Sequence, residues 1–238
     1  MRKLFIISGA TGGIGSEIYE IIADNNMEDY FLLLTRGNNL KLLTQNSKEI
    51  IMDFSKMPDE KILIYEINRI ADKVDEIVVI WTSATIEPIA NVGDYNKEDI
   101  ISSININIIY PTIIFSEIKK ICNESDKLFR LIHFDSGAAY RPIDGWAMYC
   151  SSKAYMSMFL RAMNNESNDK IVSFDPGVVD TRMQAKIRMA SEKESKVVGQ
   201  FINLKESGSL NSPGIVARQV CERYVFDWQA QELIEKVW

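Results

Sequence analysis

Short apolar runs alternate with longer stretches of helical spacing along almost the whole chain. The runs are Leu4–Ser8, Tyr30–Thr35, Glu49–Asp53, Glu76–Thr82, Leu128–Asp135 and Lys170–Asp175. Each is rich in Ile, Leu, Val and Phe, and is apolar on both faces. Strands buried on both faces of a parallel sheet read this way. Between them, segments such as Ile14–Asn25 and Asp59–Lys73 space their apolar residues three or four apart, as amphipathic helices do. The alternation predicts βαβ units and an α/β architecture: one domain with a doubly wound parallel sheet and helices on both faces. Ligands of such sheets bind beyond the carboxyl ends of the strands, so candidate chemistry is expected just after each apolar run. The tail departs from the pattern. Tyr224–Trp238 holds one short apolar patch and Gln229–Trp238 reads as helix, so a final strand is expected to be missing and the C-terminus to be atypical.

Composition narrows the function classes. The chain has 238 residues, 46% of them hydrophobic, which is ample for one large core. Its net charge is -6 and no basic stripe runs along it, which argues against a nucleic-acid partner. The single histidine, His133, sits inside the fifth apolar run and reads as a buried strand residue. A lone buried histidine argues against a histidine-rich metal site and against serine–histidine hydrolysis; no metal is expected. Cys122, Cys150 and Cys221 are scattered without a C-x-x-C spacing, as suits free thiols in a reducing compartment. The apolar run after Met1-Arg2-Lys3 is broken by Ser8-Gly9, too early for a signal peptide. No stretch reads as membrane-spanning, so a cytoplasmic protein without a membrane partner is expected.

The first run is followed by Ser8-Gly9-Ala10-Thr11-Gly12-Gly13-Ile14-Gly15, where a helical pattern begins. Glycines let the backbone turn tightly and approach a pyrophosphate, and the helix N-terminus offers unpaired N–H groups and a positive dipole end. After the second run comes Leu34-Thr35-Arg36-Gly37-Asn38. An aspartate at this turn would accept a hydrogen bond from a ribose 2′-OH and repel a phosphate. Arg36 does the opposite, which points to NADP(H) over NAD(H).

Tyr149-Cys150-Ser151-Ser152-Lys153 places a tyrosine and a lysine four residues apart, on one face of a helix. An ammonium there favours the phenolate and is expected to bring the tyrosine well below its ordinary pKa of ~10, toward the range where acid–base catalysis works best. Ser136 lies thirteen residues earlier, just past the fifth run, where its hydroxyl would hold a substrate oxygen beside the phenol. Asn107, in Ile104-Asn105-Ile106-Asn107-Ile108-Ile109-Tyr110-Pro111, is placed to anchor a water beside the lysine; Asn105 competes with it, but the position relative to Pro111 favours Asn107. After the sixth run, Pro176-Gly177-Val178-Val179-Asp180-Thr181 offers a turn whose backbone would reach a nicotinamide carboxamide, with Thr181 binding carboxamide or phosphate.

Taken together, these motifs resemble the short-chain dehydrogenase/reductase family from Met1 to about Arg182, in the family's order and spacing. The glycine loop is similar to the family's T-G-x-x-x-G-x-G, with Ser8 in the threonine's place. Gly145-Trp146-Ala147-Met148-Tyr149-Cys150 with Lys153, Asp180-Thr181-Arg182-Met183-Gln184 and Leu204–Leu210 resemble the sepiapterin reductase and benzil (diketone) reductase subgroup. The resemblance implies a Rossmann-type NADP-binding domain over residues 1–238 and reduction of a small-molecule ketone or dicarbonyl. It implies catalytic roles for Asn107, Ser136, Tyr149 and Lys153. Cofactor contacts are implied for Ser8, Gly9, Thr11, Gly13, Ile14, Gly15, Arg36, Asp53, Thr82, Ser83, Ala84, Tyr149, Lys153, Pro176, Gly177, Val179 and Thr181. Of these, Asp53 would meet the adenine amino group. The family's N-N-A-G segment falls on Trp81-Thr82-Ser83-Ala84, where Thr82 and Ser83 would replace some of the asparagine hydrogen bonds and the bulk of Trp81 would bear on adenosine packing and on the stability of the central strand. Residues 181–211 read as a substrate lid or as a solvated helix. Met156, Met158, Phe159 and Met163 read as core or as an interface, and a homodimer or homotetramer is implied. An alcohol dehydrogenase or pathway-specific ketoreductase, and a non-catalytic NADP sensor, are the competing functions.

Overall fold

In the computed structural model, residues 1–37, 40 and 43–236 are described. Asn38 of the arginine turn, and Val237 and Trp238 of the tail, lie outside the described residues. Seven strands form one sheet in the order β3-β2-β1-β4-β5-β6-β7. They are β1 (Lys3–Ser8), β2 (Tyr30–Thr35), β3 (Ser47–Ile51), β4 (Glu76–Trp81), β5 (Leu128–Phe134), β6 (Lys170–Asp175) and β7 (Ile234–Lys236). Every pairing between them is parallel. Successive side chains of a strand point to opposite faces, and both faces are buried here. Leu4 and Ile6 of β1 join one core with α2 (Lys61–Ala71), α4 (Tyr110–Glu124) and α5 (Ala147–Glu166). Phe5 and Ile7 join the other, with α1 (Gly13–Asn25) and α8 (Pro213–Val220). The doubly wound α/β sheet expected from the apolar runs is therefore the fold.

Trp81 does not disturb the central strand. It is 1% exposed, lies tilted against Phe54 with ring centroids 5.2 Å apart and meets Phe115 edge-on at 5.3 Å. Its bulk is taken up on the α4 face, away from the cleft.

The expectation of a missing final strand is wrong. The polar spacing of Gln229–Trp238 mimics a helix, but Ile234–Lys236 pairs in parallel with Ser173–Asp175 of β6. Glu235 holds this short strand in place. Its carboxylate accepts hydrogen bonds from Arg223 at 2.6 Å, Tyr224 Oη at 2.5 Å and the Gln231 N–H at 2.6 Å.

The sequence also showed no membrane-spanning stretch, yet the continuous helix 97–124 is long and apolar enough to cross a membrane by length and composition. Its Ile114, Phe115 and Ile118 are fully buried against the sheet, which accounts for its apolarity. This helix comprises α3 (Lys97–Ile104), a π-helical turn at Asn105–Ile109 and α4.

The amino ends of the central strands are tied by a buried ion pair. Arg130 of β5 donates to Glu76 of β4 at 2.7 and 2.9 Å and caps the carbonyls of Tyr224 and Val225 at 2.7 and 3.0 Å. Removing Arg130 leaves the buried Glu76 with Lys3 alone, at 3.5 Å, and breaking such a buried pair costs up to about 3–5 kcal/mol. Arg130→Met is expected to lose about that much stability in urea unfolding. A loss below about 1 kcal/mol would show that the pair is not what holds this end of the sheet.

Candidate active site

β1 stops at Ser8, and the chain turns through the glycine loop into α1. Ser8 is not among the residues that line the cleft. It is fully buried, and its hydroxyl accepts the N–H groups of Thr82 and Ser83, each at 3.0 Å. Thr82 Oγ1 returns a bond to the Ser8 carbonyl at 2.7 Å. Thr82 thus supplies a side-chain hydrogen bond from the segment that aligns with N-N-A-G. Gly9 has a φ of +70°, and a Cβ there would lie 2.5 Å from Thr82 Oγ1; a Cβ on Gly15 would lie 2.5 Å from the Gly9 carbonyl oxygen. Only glycine fits either position. No side chain caps the N-terminus of α1. Its free N–H groups and the glycine loop together form a cradle that fits a dinucleotide pyrophosphate.

A cleft of about 650 Å³ runs from this cradle toward the end of β5. Gly9, Thr11, Gly13, Ile14, Arg36, Asp53, Thr82, Ser83 and Ala84 line its first half. Arg36 is exposed, and among the described residues no carboxylate pairs with it. Asp53 caps a turn at the cleft wall. It accepts Ser55 Oγ at 2.7 Å and the Ser55 N–H at 3.2 Å, capping the short turn Phe54–Lys56.

The second half of the cleft carries the proton chemistry. Tyr149 and Lys153 lie four residues apart on α5 and are both buried. Ser136 follows β5, and its Oγ accepts the Ala138 N–H at 3.2 Å, which leaves its own proton free to donate. All three line the cleft. Burial raises the Tyr149 phenol above its ordinary value; the Ser136 hydroxyl, hydrogen bonding the phenol oxygen, opposes this, and the charges of Asp135 and Asp175 add to the rise. The expectation that Lys153 lowers this tyrosine is not met. The ammonium stands 5.7 Å from the ring centroid and donates to the Phe134 carbonyl at 2.5 Å, and burial lowers its own pKa. His133, below this site, is fully buried and held neutral by desolvation and by the Lys153 charge. Asn107 lies in the π-helical turn and is bonded at both ends of its amide to Thr85, each at 2.8 Å. It thereby pins the loop after β4. Asn105 is buried beside it with its Nδ2 unpartnered.

Pro176, Gly177, Val179 and Thr181 close the far wall. Gly177 takes a φ of +68° in the expected turn, and Thr181 caps α6 (Arg182–Met189) through the Gln184 N–H. Two residues without a role in the sequence reading belong here. The Arg182 guanidinium lies about 3.4 Å from where a Gly12 Cβ would be, directly over the glycine loop; its place beside Thr181 was the available signal. Asp135, adjacent to Ser136, also lines the cleft.

The segment after Asp180 forms α6 and α7 (Val198–Glu206) over the substrate end. It is amphipathic rather than simply solvated. Ile187 is buried with Ile86, Trp146 and Tyr149, and Met183 and Phe201 pack on them. Trp146 and Phe201 are 5.3 Å apart. The segment returns at Asn211, which bridges to Val179: Asp180 N–H donates to the Asn211 carbonyl and Asn211 N–H to the Val178 carbonyl, both at 2.9 Å.

Known proteins share the sequence pattern and the fold. The family model described as short chain dehydrogenase matches residues 3–192. A benzil reductase ((S)-benzoin forming) of Bacillus subtilis is 32% identical over 223 residues, covering 90% of each chain. The crystal structure of the KRED1-Pglu enzyme superposes with a TM-score of 0.84 at 21% identity, covering 99% of this chain and 100% of that one. Two structures with bound cofactor share the fold. ElxO with NADP bound has a TM-score of 0.75 at 16% identity, covering 100% and 96%. A 4-hydroxyisoleucine dehydrogenase complexed with NADH has 0.78 at 19%, covering 99% and 96%. With its seven-stranded parallel sheet, glycine cradle and Ser136–Tyr149–Lys153 cluster, the chain belongs to the short-chain dehydrogenase family of oxidoreductases.

Proposed function

We propose that this protein reduces a small-molecule ketone or vicinal dicarbonyl to an alcohol with NADPH, Tyr149 being the general acid. One observation carries the reading: Ser136, Tyr149 and Lys153 converge in the cleft that begins at the glycine cradle. Its likeness to benzil reductase supports the dicarbonyl class. When bound in the cradle, the reduced nicotinamide supplies the hydride. Arg36 holds the 2′-phosphate, and Pro176, Gly177, Val179 and Thr181 hold the nicotinamide end. The Ser136 hydroxyl orients the substrate oxygen. The Tyr149 phenol, kept protonated by burial, donates its proton as negative charge develops on that oxygen. Lys153 supplies positive charge beside the phenolate left behind, and Asn107 orders the approach to Lys153.

Trp146, Phe201 and Ile187 form an apolar wall beside Tyr149. It excludes water and strengthens these interactions. We take residues 181–211 as the lid that completes it. Three free cysteines fit a cytoplasmic setting. Met156 and Met163 belong to the core, whereas Met158 is 67% exposed on α5, where a homodimer or homotetramer would bury it.

Tyr149→Phe is expected to abolish NADPH oxidation with a diketone such as benzil while NADPH still binds in calorimetric titration. A variant keeping most of the parent rate would refute the proton-donor assignment. Arg36→Asp is expected to weaken NADPH binding about tenfold or more, as loss of a charge-assisted contact of about 1.5–3 kcal/mol implies, and to favour NADH. An unchanged NADPH-to-NADH ratio of kcat/KM would defeat the 2′-phosphate assignment.

A further inference from the structure

Positive charge collects at the mouth of the glycine cradle. Gly13 opens α1, and Thr181 is the cap of α6. The Thr181 methyl lies 3.5 Å from where a Gly13 Cβ would be, so the N-termini of the two helices meet within van der Waals reach. Each end carries a partial positive charge and unpaired N–H groups. Neither helix has an acidic residue in its first turn. No side chain caps α1, and Thr181 answers the Gln184 N–H of α6 alone.

Arg182 adds a full charge at the same place. It is the first residue of α6, is exposed and lines the cleft. Its Nη2, Cζ and Nε lie 3.4, 3.5 and 3.8 Å from where a Gly12 Cβ would be, so the guanidinium lies broadside over the loop. A cation at a helix N-terminus is unfavourable by itself. The other cations of this segment have partners. Glu87 pairs with Lys186, and Asp180 pairs with Lys205 at 2.6 Å and stands 3.9 Å from Arg188. Asp180, two residues from Arg182, is thus committed elsewhere, and among the described residues no carboxylate pairs with Arg182. Glu17, the first acidic residue of α1, turns toward α8, where its carboxylate lies 3.2 Å from where a Gly214 Cβ would be. Two positive helix ends and an unpaired guanidinium, gathered on one loop, suit a group that carries two negative charges.

We propose that Arg182 is a cofactor-binding residue that closes over the dinucleotide pyrophosphate, so that the diphosphate is held between the glycine loop and the first turn of α6. The proposal rests on the reading that the cradle takes NADP(H). Arg182 stands at the start of residues 181–211, so the contact ties the lid segment to the cofactor. Gln184 passes the restraint on: its Nε2 donates to the Phe201 carbonyl of α7 at 3.1 Å. Phe201 packs on Trp146 beside Tyr149. A pyrophosphate contact is made equally before and during hydride transfer, so its loss raises the KM for NADPH and leaves kcat little changed.

The test measures dissociation constants of the intact chain for three probes by titration calorimetry. NADPH carries both the pyrophosphate and the 2′-phosphate. ADP-ribose carries the pyrophosphate alone, and adenosine 2′-monophosphate carries the 2′-phosphate alone. Arg182→Gln is expected to weaken NADPH and ADP-ribose about tenfold or more, the size of one charge-assisted contact, and to leave adenosine 2′-monophosphate as in the parent. Arg182→Lys, which keeps the charge without the planar fork, is expected to recover part of the loss. In steady-state diketone reduction, the Gln variant is expected to raise the KM for NADPH about tenfold with kcat within about twofold of the parent. Equal affinity of parent and Arg182→Gln for NADPH and ADP-ribose overturns the proposal. A loss that falls equally on adenosine 2′-monophosphate also overturns it and makes Arg182 a residue of the loop's own structure. A parent chain that binds neither NADPH nor ADP-ribose overturns instead the reading of the cradle.

Discussion

Everything at the active site depends on the join between β1 and β4. The order β3-β2-β1-β4-β5-β6-β7 reverses direction there, so the connections leaving the two strands run to opposite faces and a crevice opens between them. A crevice at the carboxyl edge of a parallel sheet would normally be loose, because the strand ladder stops at its rim. Ser8 and Thr82 extend the ladder past its end with three hydrogen bonds, two of them to main-chain N–H groups. That stitch fixes where the glycine loop begins. It also sets the spacing that only a Cβ-free Gly9 and Gly15 can meet. Replacing the usual threonine by serine keeps the hydroxyl that the stitch requires.

Much of this was legible in the sequence, for reasons specific to each part. Five strands are buried on both faces, which marks them individually, whereas β3 at the sheet edge buries only Ile50 fully. The Ser136–Tyr149–Lys153 set is readable because thirteen and four residues are distances that one loop and one helical turn impose. The seventh strand was not readable. Three residues form it, and they become a strand only where β6 supplies a partner and Glu235 gathers Arg223, Tyr224 and Gln231. Taken alone, Gln229–Trp238 has helical spacing. The role of Ser8 was likewise hidden, since nothing in a glycine motif says whether its first hydroxyl meets a ligand or a neighbouring strand.

The electrostatics were the least legible part. A tyrosine four residues from a lysine suggests an acidified phenol, but both groups are buried, and burial penalises charge on either. Which effect wins depends on the dielectric of the pocket and on carboxylates brought in from β5 and β6. None of those is adjacent to the tyrosine in sequence. Burial therefore keeps the phenol protonated.

The Asn211–Val179 bridge has a consequence for how such a protein diversifies. The chain leaves the sheet at Asp180 and comes back at Asn211 through neighbouring main-chain hydrogen bonds, so the intervening helices form an excursion with a closed neck. Lengthening or exchanging a closed excursion costs little in chain entropy and moves neither the sheet nor the cradle. The excursion and the frame that carries the cradle are in this way separable, so a different excursion could be grafted between the same two anchor points without altering that frame.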